Sequence, residues 1–426
     1  MEVEIISKEA IKPSKPTPSH CKLYRLSSLD QLSPSIYVPI LLFYEAPTTP
    51  QKRADLSSQL KSSLSETLTY YYPFAGRIKD GSYIDCDDEG SLFIEAQAKN
   101  NLVDILTFPK LEALDVLFPD EKQWKSSRNS SVLAVQLSYF DCGGLSIGIC
   151  ISHKIADACT IFTFLNDWAS QARKSGESIC PLFNTTSIFP PNDEFVIPEL
   201  EFVKSNVVTR RYVFHPTKIS ELKATIVSNS NSLHNPTRVE VVTSLIFNSI
   251  IQATKIRSFG LVKSYVLAQT VNMRSRMVPP LVRNSMGNIV WYFPVMIKDN
   301  EDISLERLAT QMREGLVKLC DFAKNVEGKD WLLMAAASEN NGSEHSMNDA
   351  YKISSWCKYP VYQVDFGWGN PMWVSTAEYP YKNNIFLIDC KDGEGIEAWV
   401  TLDEDVMFIL QGDEEFLKFA SLNPSI

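Results

Sequence analysis

The chain has 426 residues, too many for one ordinary core, so two domains are expected. It is 44% hydrophobic and 22% charged, and its net charge of −10 excludes a general nucleic-acid binder and demands a locally basic pocket for any anionic co-substrate. No apolar run reaches the ~20 residues of a membrane span. Met1-Glu2-Val3-Glu4 also lacks the basic start and apolar core of a secretory leader, so a cytoplasmic location is expected.

In chain order, the opening is extended and rich in proline (Pro13, Pro16, Pro18). A strand is predicted over 36–44. Leu56, Leu60, Leu64 and Leu68, at steps of four, predict an amphipathic helix. Pro73 and Gly76 end it. Val132 to Phe140 alternates like a strand, Asp141-Cys142-Gly143-Gly144 reads as a turn, and 145–153 as the returning strand. A helix follows from Ala158. From Pro181 to Pro216 the periodicity fades among five prolines, which suggests a long crossover between domains. Beyond it, 218–226, 239–254 and 305–324 read as helices and 264–271 as a buried strand. Short strands are expected around Trp373, Phe386 and Trp399, and a last helix from Asp403. Mixed strands and helices without a strict βαβ rhythm predict an α/β fold with mixed β-sheets flanked by helices. No phosphate-binding glycine loop appears.

The nine cysteines are scattered and include no C-x-x-C pair. Neither a disulfide framework nor a metal site is expected, and free thiols fit a reducing compartment. Cys150 and Cys159 read as small core residues.

Two stretches stand out. In Ile151-Ser152-His153-Lys154-Ile155-Ala156-Asp157, the histidine shares strand parity with Leu145, Ile147, Ile149 and Ile151. An imidazole among aliphatic neighbours is desolvated and stays neutral, which suits a general base. A hydrogen-bonded structural histidine at a strand end has the same pattern. Asp157 stands where a helix N-cap is needed. In Asp365-Phe366-Gly367-Trp368-Gly369, two glycines around a tryptophan allow a sharp turn and a close approach.

His153-Lys154-Ile155-Ala156-Asp157, followed some two hundred residues later by Asp365-Phe366-Gly367-Trp368-Gly369, resembles the plant BAHD acyltransferase family. Tyr72-Pro73-Phe74-Ala75-Gly76-Arg77, Asn272-Met273-Arg274-Ser275-Arg276 and Met286-Gly287-Asn288 resemble it too. The likeness spans the whole chain. Ser152 to Asp157 and Ser355-Trp356-Cys357 resemble its alkaloid acetyltransferases, whereas Asn235-Pro236-Thr237-Arg238 and Cys357 to Pro360 resemble another branch. The resemblance implies two chloramphenicol-acetyltransferase-like domains, 1–182 and 211–426, joined by a crossover at 183–210. A swapped segment, 365–391, would return to the first domain, and a channel would run between the two. It implies an acyl-CoA co-substrate, with acetyl-CoA expected, and a small alcohol or amine acceptor, in a monomer with no bound cofactor or metal. His153 would be the base and the Trp368 indole N–H the oxyanion donor. Asp157 would pair with Arg274, and Asp365, Gly367 and Gly369 would shape the interdomain loop. For Thr237 and Arg238 two readings stay open: coenzyme A contacts, or an ordinary helix N-terminus.

Overall fold

Tyr37–Tyr44, Leu133–Phe140 and Leu145–Ser152 are largely apolar on both faces, and every residue in them is buried. Strands of that kind belong inside a sheet covered on both sides. The computed structural model describes residues 1–47, 53–177, 179–192, 206–228, 233–261, 264–298, 303–326, 328, 330–331 and 350–426. In it the three strands lie within a six-stranded sheet ordered Val3–Ile11, Ser91–Ala98, Leu133–Phe140, Leu145–Ser152, Tyr37–Tyr44 and Trp373–Ser375. Ser91–Ala98 and Leu133–Phe140 run parallel and the other neighbours antiparallel, so the sheet is mixed.

The leucine stripe behaves as its spacing requires. Leu56, Leu60, Leu64 and Leu68 are buried along one face of helix Arg53–Tyr70. That face meets helix Ala158–Arg173, where Trp168 donates its indole N–H to Ser63 Oγ at 3.0 Å.

A second, seven-stranded mixed sheet is ordered Val290–Lys298, Ser264–Asn272, Tyr351–Ser355, Asn384–Asp389, Ile396–Asp403, Val207–Phe214 and Ser421–Leu422. Helices Pro216–Ser228, Arg238–Arg257 and Leu305–Ala323 contribute apolar residues to its core. Helix Arg238–Arg257 is long and apolar enough to cross a membrane, but 67% of its apolar window is buried in the protein, as befits a core helix. The span expected as the crossover, 183–210, contains helix Thr185–Ile188, and the second sheet takes up strand Val207–Phe214 before residue 210. Residues 193–205 of that span lie outside the described residues.

The two sheet-and-helix units interlock. Trp373 stacks on Phe43 of the first sheet at 5.3 Å and on Trp399 of the second at 6.1 Å. Its indole N–H donates to Glu397, which pairs with Arg211 in a buried ion pair of 2.6 Å. In the other direction, Leu29 from the first part of the chain is buried in the second core.

Candidate active site

Strand Leu145–Ser152 ends one residue before His153, which opens the turn leading to helix Ala158–Arg173. The backbone still holds it in place, because the His153 N–H donates to the Ile36 carbonyl at 2.8 Å. Its ring lines a cavity of about 430 Å³, a size typical of ligand pockets. Leu29, Ile36 and Ile161 from the first part of the chain form one side, and Thr270, Tyr292 and Phe386 of the second sheet another. The cavity therefore lies between the two units.

Asn288 fixes the tautomer of His153. The Asn288 amide nitrogen donates to the His153 carbonyl at 2.7 Å and to Asp30 Oδ1 at 3.0 Å. Both partners are acceptors here, because Asp30 Oδ1 also receives the Asn288 backbone N–H at 2.7 Å. The amide cannot flip, so its oxygen is the atom 3.0 Å from His153 Nδ1. Nδ1 must carry the hydrogen, and Nε2 keeps the lone pair. Asp30 is buried, and its other oxygen accepts from the backbone and hydroxyl of Ser27. Burial pushes the Asp30 carboxyl up, opposed by the Ser27 and Asn288 donors.

Burial pushes the His153 pKa below its ordinary value of 6.5, outweighing its own hydrogen bonds and the nearby charge of Asp157. The acid limb of kcat/KM should therefore titrate below pH 6.5, and a pH profile checks this. The stability term has the same sign. Its contribution is complete above pH 6.5 and is lost as pH falls from there through the lower folded-state value.

Asp157 and Arg274 form the expected pair. Their ion pair is 2.6 Å long, with side chains only 2% and 3% exposed. Asp157 also caps helix Ala158–Arg173 through Thr160 N at 2.8 Å and accepts the Ile289 N–H at 3.0 Å. Both sequence readings of Asp157 thus hold together. Arg274 donates further to the Ser285 and Gly287 carbonyls. The pair fastens the segment carrying Asn288 to the turn carrying His153. Gly287 adopts φ +120°, a conformation side chains disfavour, and a Cβ there would sit tightly against Thr185 and Asp30.

The structure corrects the role expected for Trp368. Its ring packs edge-on against Tyr44 at 6.1 Å and stacks on Phe366 at 5.6 Å. Tyr44 pairs with Leu145, whereas His153 binds Ile36, at the opposite end of that strand pair. Eight residues at ~3.3 Å each put roughly 26 Å between the two levels. Trp368 does not line the cavity, and its indole N–H is buried without an acceptor among the described residues. It cannot meet an oxyanion formed beside His153. A shared motif string carries no distance, which is why the sequence misplaced it. Trp368→Phe should keep kcat within about twofold, because truncating a distant N–H removes nothing made in the transition state. A tenfold loss with an unchanged melting temperature would overturn this placement.

Asp365, Gly367 and Gly369 do form a shaped loop. Asp365 Oδ1 accepts the N–H of Gly367 at 2.7 Å and of Gly369 at 2.9 Å. Both glycines adopt φ above +110°, a region that side chains disfavour. Gln59 donates to the Phe366 carbonyl at 2.9 Å and Arg173 to that of Asp365, which ties the loop to two helices of the first unit.

Thr237 and Arg238 are committed within the protein. Thr237 caps helix Arg238–Arg257 in a capping box with Glu240. Arg238 pairs with Asp389 at 3.0 Å and donates to the Glu394 and Gly395 carbonyls. Of the two readings left open, these contacts are those of an ordinary helix N-terminus.

Two mixed-sheet units that meet at a cavity, with a histidine of fixed tautomer in its wall, define a two-domain acyltransferase of the chloramphenicol-acetyltransferase-like class. A family model described as the Transferase family matches residues 1–417, and the chain belongs to that family, the BAHD acyltransferases. It is 40% identical over 417 residues to akuammiline synthase 1 of Alstonia scholaris, covering 98% of this chain and 97% of that protein. With stemmadenine O-acetyltransferase of Catharanthus roseus it shares 35% identity over 423 residues, 97% of each chain. The crystal structure of vinorine synthase superposes with a TM-score of 0.88 at 35% identity, covering 99% of both chains.

Proposed function

We propose that this protein transfers an acetyl group from acetyl-CoA to a hydroxyl of an alkaloid or terpenoid, with His153 as general base. The carrying observation is the His153–Asn288–Asp30 chain, which leaves Nε2 unprotonated at a cavity between the two domains. The relative that acetylates stemmadenine on oxygen supports the donor and the acceptor atom. His153 Nε2 takes the acceptor's proton as its oxygen attacks the thioester carbon. The C–S bond then breaks, and the proton passes from Nε2 to the departing thiolate. No second nucleophile is needed. Burial pushes up the Cys150 and Cys159 thiols, which disfavours their thiolates.

On this reading the domains run over 1–182 and 211–426, the second also taking in strand Val207–Phe214, and the protein works as a cytoplasmic monomer. The expected swap of 365–391 is corrected, because strand Trp373–Ser375 joins the first sheet but strand Asn384–Asp389 lies within the second. Any coenzyme A contact at 237–238 falls to the backbone N–H groups of the first helical turn, since both side chains are occupied. The test is coenzyme A release from acetyl-CoA over a panel of polycyclic alcohols and amines, with initial rates taken against both substrates. Alcohols should be acetylated with intersecting, ternary-complex kinetics. Ping-pong kinetics, or an acetylated peptide trapped with donor alone, would overturn the mechanism. Turnover of amines alone would move the reading to N-acylation.

A further inference from the structure

The cavity wall opposite the histidine holds a polar pair that the reaction does not use. Lys352 and Asn384 lie on neighbouring parallel strands, Tyr351–Ser355 and Asn384–Asp389, and are cross-strand partners. Strand alternation turns both toward the cavity, because Ile353 and Ile385, the next residues along, are buried in the second core on the other face. Asn384 is only 7% exposed, and its amide has no hydrogen-bond partner among the described residues. The Lys352 ammonium has no carboxylate partner among them either, and burial alone pushes its pKa down. Around the pair the lining is aromatic, with Trp124, Trp356, Tyr379 and Phe386. A cation and an amide, both unpartnered and set among aromatic rings, form a built site for an anionic oxygen group.

Its position says which molecule carries that group. Lys352 pairs with Ala268, four residues along the strand from Asn272. Asn272 accepts from Arg274, which fastens the segment carrying Asn288 beside His153. Four residues of strand put the level of the Lys352–Asn384 pair on the order of 13 Å along the sheet from Asn272, whose end is tied through Arg274 to the turn carrying His153. The far carboxylate of a short dicarboxylic acyl group stays within a few ångströms of its thioester carbon and cannot reach it.

We infer that Lys352 and Asn384 bind a carboxylate on the acceptor, so that the preferred acceptor is a rigid, apolar hydroxy acid with its hydroxyl at His153. A protonated amine at that far end is disfavoured by the like charge of Lys352. This rests on the reading of the cavity as the acceptor site, and its test needs no turnover.

Oleanolic acid and its methyl ester serve as probes, titrated calorimetrically into the intact protein without acyl donor. The acid should bind at least ~10-fold tighter than the ester, as a charge-assisted contact implies. Lys352→Met should bring the two within about twofold, and Asn384→Leu should narrow the gap, while acetyl-CoA affinity stays the same. Equal affinity for acid and ester in the unsubstituted protein, or failure of both to bind, overturns the inference. So does a Lys352→Met loss that falls on acetyl-CoA, which would assign the lysine to a coenzyme A phosphate. A clear acid preference without any acetyl transfer would sustain the site and sink the proposed reaction instead.

Discussion

Replacing His153 with alanine should lower kcat by at least ~100-fold and leave a folded protein, because a positioned base typically contributes 10²–10⁴-fold. The fold should survive because the strongest local anchor is the backbone N–H to the Ile36 carbonyl, which alanine keeps. Asn288 keeps its two bonds to Asp30 and its bond to the 153 carbonyl, and loses only the ring partner of its amide oxygen. Circular dichroism and a melting curve establish folding, and coenzyme A release measures turnover. Near-normal turnover in a folded His153→Ala protein would remove His153 from the chemistry. Asn288→Ala is the companion variant. It frees the imidazole to adopt the other tautomer, so kcat should fall while acetyl-CoA affinity holds. The pH profile should shift as well, which a purely structural loss would not cause.

The second large effect is on stability. Asp157→Ala should destabilise the protein by ~3–5 kcal/mol, because it strands the Arg274 guanidinium in a dry site. The same change removes the cap on helix Ala158–Arg173 and the acceptor of the Ile289 N–H. Activity should fall with the melting temperature, since Ile289 adjoins the asparagine that orients His153. Asp157→Asn separates the contributions. It keeps an oxygen for the cap and loses the charge, so its melting temperature should lie between those of the unsubstituted and alanine proteins. Collapse of activity at an unchanged melting temperature would make Asp157 a direct participant in the reaction.

What could be read in advance follows from where the signal lies. Strands Tyr37–Tyr44 and Leu145–Ser152 are apolar on both faces, and the helix over 53–70 repeats leucine every fourth residue, so periodicity exposes them. Strand Val3–Ile11 forms a sheet edge with most residues exposed, so it has no apolar alternation to find. Strand Val207–Phe214 was hidden by two adjacent arginines. Arg211 is nonetheless buried, because Glu397 on the neighbouring strand neutralises it. A cross-strand ion pair is invisible to a pattern that equates charge with solvent.

The site divides in the same way. His153, Asp157 and Arg274 announce themselves through local spacing, capping chemistry and motif resemblance. Asp30 and Asn288 are separated by 258 residues, and each is a short polar residue with no local periodicity to set it apart. Asn288 falls within a recognisable triplet, but only the folded chain shows that its amide holds the imidazole. Lys352 and Asn384 were likewise silent, because a lysine in a strand reads as solvent-facing until the opposite wall of the cavity is known.

The strand Trp373–Ser375 has a consequence for how the molecule is assembled. It lies far along the chain yet completes the edge of the sheet built from the chain's beginning, through pairing with Leu41–Phe43. A ribosome has therefore delivered nearly nine-tenths of the polypeptide before the first unit acquires its last strand. Until then the edge at Tyr37–Tyr44 is an open template of unpaired backbone groups. An N-terminal fragment expressed alone should aggregate, and the complementary C-terminal fragment should rescue it in trans.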